Sequence, residues 1–114
     1  MPTIIDRPTF EKLKNDAGAD FVGELVETYC SETPQLIARL RYALGVNDAG
    51  AFRQAAHSIK SSSNTFGALS LGEMAKELEM LGRAGDLAGA PEKVDRLAAE
   101  YDRVQQALQD LSHD

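Results

Sequence analysis

The sequence predicts an all-α fold, an antiparallel four-helix bundle with a short extra helix at its N-terminus. Three observations carry this expectation. Apolar residues recur at three- and four-residue spacing along most of the chain, and no segment alternates with period two. There is no Trp, and only four Phe and three Tyr, so Leu, Ala, Val and Ile must fill the interior, which suits helix packing. The periodic segments are joined by short stretches that hold the Gly, Asn and Pro residues typical of helix ends.

Taken in order, Phe10-Glu11-Lys12-Leu13 opens the short first helix, entered through Pro8-Thr9 and ended near Gly18. Asp20 is the expected N-cap of a longer helix that carries Phe21, Val22, Leu25, Val26 and Tyr29 on one face. Pro34 has no amide hydrogen, which predicts a kink or a restart there with Thr33 as a local cap. The same face resumes at Leu36, Ile37, Leu40 and Leu44. Residues 45–50 are a connection, with Asn47 or Asp48 capping the next helix.

The third long helix is expected from about Ala49 to about Asn64, with Phe52, Ala55, Ala56 and Ile59 turned inward. Residues 65–68 form the next connection. Ser70-Leu71-Gly72-Glu73 reads as a capping box, Ser at N-cap and Glu at N3. Leu71, Met74, Ala75, Leu78 and Leu81 share a face of the helix behind it, which ends within residues 82–85. Pro91 suits the first turn of a last helix. Its stripe is Val94, Leu97, Ala98, Tyr101, Val104, Leu108 and Leu111, with Ser112-His113-Asp114 as a frayed tail.

A length of 114 residues, 43% of them apolar, corresponds to one domain over residues 1–114. The formal net charge of −6 and the absence of a Lys/Arg cluster argue against nucleic acid as a partner. No apolar run reaches membrane-spanning length, and the first residues lack a signal-peptide pattern. The single Cys30 cannot form an internal disulfide and is read as a packed small hydrophobe. Together these predict a cytoplasmic protein, expected as a monomer.

His57 is the residue that asks for an explanation. With Phe52 at zero on a wheel of roughly 100° per residue, Ala56 and Ile59 fall within roughly 40°, whereas His57 lies roughly 140° away. It is therefore off the core stripe. Lys60, Ser61 and Asn64 follow it at i+3, i+4 and i+7, and Arg53 precedes it at i−4. No acidic residue neighbours it on this helix. Arg53 and Asn64 read as surface residues that only tune the local field.

An imidazole titrates at about 6.5 in general, so its neutral, nucleophilic form is abundant at physiological pH. A phosphoryl group placed on it would carry about two negative charges. Lys60, one turn away, could meet those oxygens, and the small residues Ser61 to Ser63 leave room for a second protein. The chain has no Gly-x-x-x-x-Gly-Lys-Ser/Thr loop, no histidine–carboxylate cluster at metal spacing, and no base fixed by a third group. It could accept a phosphoryl group but would need one partner to donate and another to receive.

Residues 57–68, His57-Ser58-Ile59-Lys60-Ser61-Ser62-Ser63-Asn64-Thr65-Phe66-Gly67-Ala68, resemble the signature of histidine phosphotransfer (HPt) domains. Ala56, His57, Ile59, Lys60, Ser62, Ser63 and Gly67 fit it, and Leu71, Ala75, Leu78, Glu79 and Leu81 are similar to the family's next helix. The resemblance implies a relay of phosphoryl groups in a two-component phosphorelay. His57 would be the acceptor and Lys60 the steadying cation. Glu79 would orient the imidazole through its other nitrogen. Partners would be a response-regulator receiver domain and a histidine kinase or hybrid kinase. No cofactor is implied for this chain; a divalent metal such as Mg is expected only in the receiver. The chain departs from the family at Ser61, where a glycine is usual, and the departure bears on how closely a receiver docks. The alternative is a helical adaptor that binds a receiver or kinase without being phosphorylated.

Overall fold

A computed structural model describes residues 4–112. The chain is all-helical: α1 (Arg7–Ala17), α2 (Ala19–Gly45), α3 (Ala49–Thr65), α4 (Leu69–Ala84) and α5 (Ala90–Ser112), with no strand among the described residues. Helix α3 packs on α2 and α4, and α5 packs on the same two, so four helices enclose one core. Helix α1 lies against α2 and α3. Phe52, Ile59, Leu71, Leu78, Leu97 and Leu108 are fully buried, all on stripes that the sequence spacing marks. Burial of apolar surface at about 25 cal/mol per Å² is what holds these helices.

Helix α1 is longer than a single turn. It begins at Arg7 because Asp6 caps it, accepting from the Thr9 amide at 3.2 Å and from the Thr9 hydroxyl. Asp20 is not the N-cap of α2. Gly18, at φ +95°, makes the turn out of α1, gives its amide hydrogen to the Lys14 carbonyl and accepts from the Phe21 and Val22 amides. Asp20 falls in the first turn, where its charge faces the positive helix end.

Pro34 neither ends nor restarts the second helix, and Thr33 does not cap one. Helix α2 runs unbroken from Ala19 to Gly45, and Thr33 is buried within it. Pro34 removes the amide that would have bonded the Cys30 carbonyl. The Tyr101 hydroxyl from α5 donates to that carbonyl instead, at 3.1 Å. Burial raises the Tyr101 pKa, so the phenol keeps the hydrogen it donates. Cys30 is half-buried, and burial likewise raises its thiol pKa.

Ser70 is not an N-cap either. Helix α4 starts at Leu69 behind Ala68, with no side-chain cap. The fully buried Ala68 closes the turn through its backbone, donating to the Ser63 carbonyl at 2.8 Å and accepting from Gly72 at 2.9 Å. Pro91 stands in the first turn of α5, and Ser112 belongs to that helix; His113 and Asp114 lie outside the described residues.

Candidate functional site

Helix α3 is nucleated by Asp48, whose side chain accepts from the Ala51 amide at 3.0 Å. Phe52, Ala55, Ala56, Ile59 and Ser63 form its buried face. His57 points away from that face, its side chain 59% exposed. Glycines on α4 let it approach α3 closely. A Cβ at Gly82 would stand 2.9–3.0 Å from the Arg53 Cβ, Cα and N, and one at Gly72 would collide with the Asn64 amide. Asn64 is exposed, as expected of a surface residue, with its amide lying over Gly72.

This approach brings Glu79 of α4 against His57. On its own helix His57 has no acidic neighbour, but across the interface its Nδ1 lies 3.0 Å from Glu79 Oε2. A carboxylate only accepts, so Nδ1 carries the hydrogen and Nε2 keeps its lone pair. Glu79 itself is nearly buried, its side chain 8% exposed. Its Oε1 accepts no hydrogen bond of good angle, and the Lys60 ammonium at 2.7 Å compensates it as an ion pair. Arg83, one turn along α4, reaches to 3.8 Å of Oε2. The Lys60 ammonium, against the opposing effect of burial, holds the Glu79 carboxyl below its ordinary pKa, with His57 adding to the effect. Glu79 is therefore charged at neutral pH.

Of the residues that the sequence singles out, His57, Lys60 and Glu79 converge. Glu79 is buried on α4 beside Ala75, Leu78 and Gly82. Ser61 is exposed, and its side chain makes no hydrogen bond among the described residues. Ser62 spends its hydroxyl on the Ser58 carbonyl at 2.9 Å, within its own helix, and does not offer it outward. Ser63 does not belong to an open face. It is fully buried and shares a 2.7 Å hydrogen bond with the Tyr29 hydroxyl of α2. Burial pushes the Tyr29 phenol up to about 12, so it too stays protonated.

Arg83 escaped the sequence reading. Its signal was the i+4 spacing from Glu79, which means little until Glu79 is known to face His57. Arg53 and Arg83 line one cleft with Gln54, His57, Ser58 and Glu79. On the other flank of α3, a groove of about 510 Å³ against α2 is lined by Leu36, Tyr42, Ala51, Ala55 and Ser58, among others. Tyr42 there is 74% exposed. No group of three His, Cys, Asp or Glu side chains converges as a metal site among the described residues. No helix among them is long and apolar enough to cross a membrane.

The Hpt domain family model matches residues 24–107, a span that contains His57, Lys60 and Glu79. No curated protein matches the chain by sequence. Among solved structures, the chain is similar to the crystal structure of histidine-containing phosphotransfer protein B (HptB) from Pseudomonas aeruginosa PAO1. Identity is 27% and the TM-score 0.92, over 99% of this chain and 97% of that one. An exposed helical histidine on a helical frame of this kind, matched over most of its length, places the chain in the Hpt domain family.

Proposed function

We propose that His57 is the phosphoryl acceptor through which this Hpt protein performs histidine phosphotransfer in a phosphorelay. The observation that carries the assignment is the His57–Glu79 bond. It fixes the hydrogen on Nδ1 and leaves Nε2 of this exposed side chain as the nucleophile.

In the forward step the Nε2 lone pair attacks the phosphorus of a receiver's aspartyl phosphate. The bond from phosphorus to the carboxylate oxygen breaks, and its electron pair stays on that oxygen. The Nδ1 hydrogen remains on the ring, and the positive charge that develops there faces the Glu79 carboxylate. The same step run backwards delivers the group to another receiver. A kinase phosphohistidine would donate with nitrogen as the leaving atom. Lys60 supports the phosphorylated state from its seat on Glu79, by holding the carboxylate in place.

The chain acts as a carrier with no kinase activity of its own. The nucleotide is the kinase's, and the divalent metal is the receiver's. A receiver docks over the apolar α2–α3 groove that abuts Ser58, and the small, exposed side chain of Ser61 one turn after His57 leaves the approach to the ring open. We read the four long helices as an antiparallel bundle, because residues 46–48, 66–68 and 85–89 are short connections. The protein works as a cytoplasmic monomer.

The test is incubation with a phosphorylated receiver or an active sensor kinase. Acid-labile, base-stable label on the wild type, absent from His57→Ala, is the expected result. Binding without label under any donor would make the protein an adaptor and overturn the assignment.

A further inference from the structure

Three cations and one carboxylate surround His57, and their geometry divides them. Lys60 is largely shielded, 28% exposed, and faces the buried Oε1 of Glu79. Drawing it towards a phosphoryl group would leave that oxygen buried without a partner. Lys60 and Glu79 thus cancel one another and stay together.

Arg53 and Arg83 are not committed in this way. Arg53 makes no ion pair among the described residues, while Arg83 is 67% exposed and stands beyond hydrogen-bond distance from Glu79 Oε2, at 3.8 Å. They come from different helices, Arg53 one turn before His57 and Arg83 one turn after Glu79, yet both line the same cleft of about 470 Å³ with His57. Gly82 is what allows this. Its missing Cβ lets α4 lie against the backbone of Arg53, so the two guanidinium groups share a wall. With Lys60 and Glu79 cancelled, two positive charges remain beside an imidazole that would gain about two negative ones.

We propose that Arg53 and Arg83 are the phosphoryl-holding pair of this site, closing from α3 and α4 onto the oxygens of a phosphoryl group on His57. The assignment rests on the phosphotransfer reading and sharpens it. The direct contacts fall to the two arginines, and Lys60 acts through Glu79. Guanidinium suits the task, since its planar fork can give two hydrogen bonds to one phosphoryl group and it is less strongly hydrated than ammonium.

The experiment measures the equilibrium occupancy of phosphohistidine when the protein is mixed with a phosphorylated receiver. Circular dichroism and melting checked on each variant confirm folding. Arg53→Gln with Arg83→Gln should shift the exchange equilibrium away from histidine at least about tenfold. The corresponding double Lys variant should recover part of the loss, which a purely steric role would not. Raised salt should erode the wild-type occupancy more than that of the double Gln variant. Labelled double Gln variant at wild-type occupancy overturns the arginine assignment and leaves phosphotransfer standing. Absence of label on the wild type overturns phosphotransfer and the arginine assignment together.

Discussion

Replacing Gly82 by Ala sets two effects of known size against each other. In a helix interior Ala is favoured over Gly by about 1 kcal/mol. At Gly82 the new methyl would meet the Arg53 Cβ at 2.9 Å and its Cα and N at 3.0 Å, and the last two are backbone that cannot rotate away. Helix α4 must move, at about 1–3 kcal/mol for an overpacked contact. The net expectation is about 0–2 kcal/mol of destabilisation. Gly23 on α2 is the control, because nothing lies within 4 Å of a Cβ there. Gly23→Ala should therefore stabilise by up to about 1 kcal/mol. At about 4 °C per kcal/mol the two variants should melt some 4–12 °C apart. The functional consequence is separate. Glu79 is one turn from Gly82, so parting the helices lengthens the 3.0 Å His57–Glu79 bond and slows transfer. Urea melts and phosphotransfer rates on both variants check this. A Gly82→Ala protein as stable as Gly23→Ala, with unaltered transfer, would refute the close-approach reasoning.

Other perturbations probe the remaining contacts. Tyr101→Phe should cost about 1 kcal/mol by urea melt, because it uncaps the Cys30 carbonyl that Pro34 leaves without its helical partner. Tyr29→Phe should cost about 1–3 kcal/mol by leaving the Ser63 hydroxyl buried and unpaired, and adding Ser63→Ala should restore much of it, a coupling that a double-mutant cycle reads out. Glu79 makes a pH prediction. Its carboxyl lies below the ordinary 4.5 in the folded protein, chiefly through Lys60, so its contribution is complete above that value. It is lost as pH falls through the lower folded value. Acid unfolding of Glu79→Gln should accordingly be less steep than that of the wild type below about pH 4.5.

The periodicity of α3 made His57 and Lys60 legible from sequence, because both lie on one helix and their relation is local. Glu79 was recognisable only by resemblance; a wheel for α4 cannot say what faces it. Its burial follows from Gly72 and Gly82, whose role depends on the neighbour across the interface. Pro34 misled for a related reason. The local rule is sound, but Tyr101, far along the chain, supplies the missing donor. Ser63 looked like part of an open polar run, yet the helix turns it inward onto Tyr29. Local spacing gave the elements, whereas partners across the core decided which polar groups were buried.

The central claim is that Nε2 of His57 carries the phosphoryl group while Nδ1 keeps its hydrogen on Glu79. Nitrogen–phosphorus correlation NMR on phosphorylated protein with ¹⁵N-labelled histidine tests it directly. A single phosphorus coupling to Nε2 of His57, with Nδ1 protonated, is the predicted result. Coupling to Nδ1, or to His113, would contradict it.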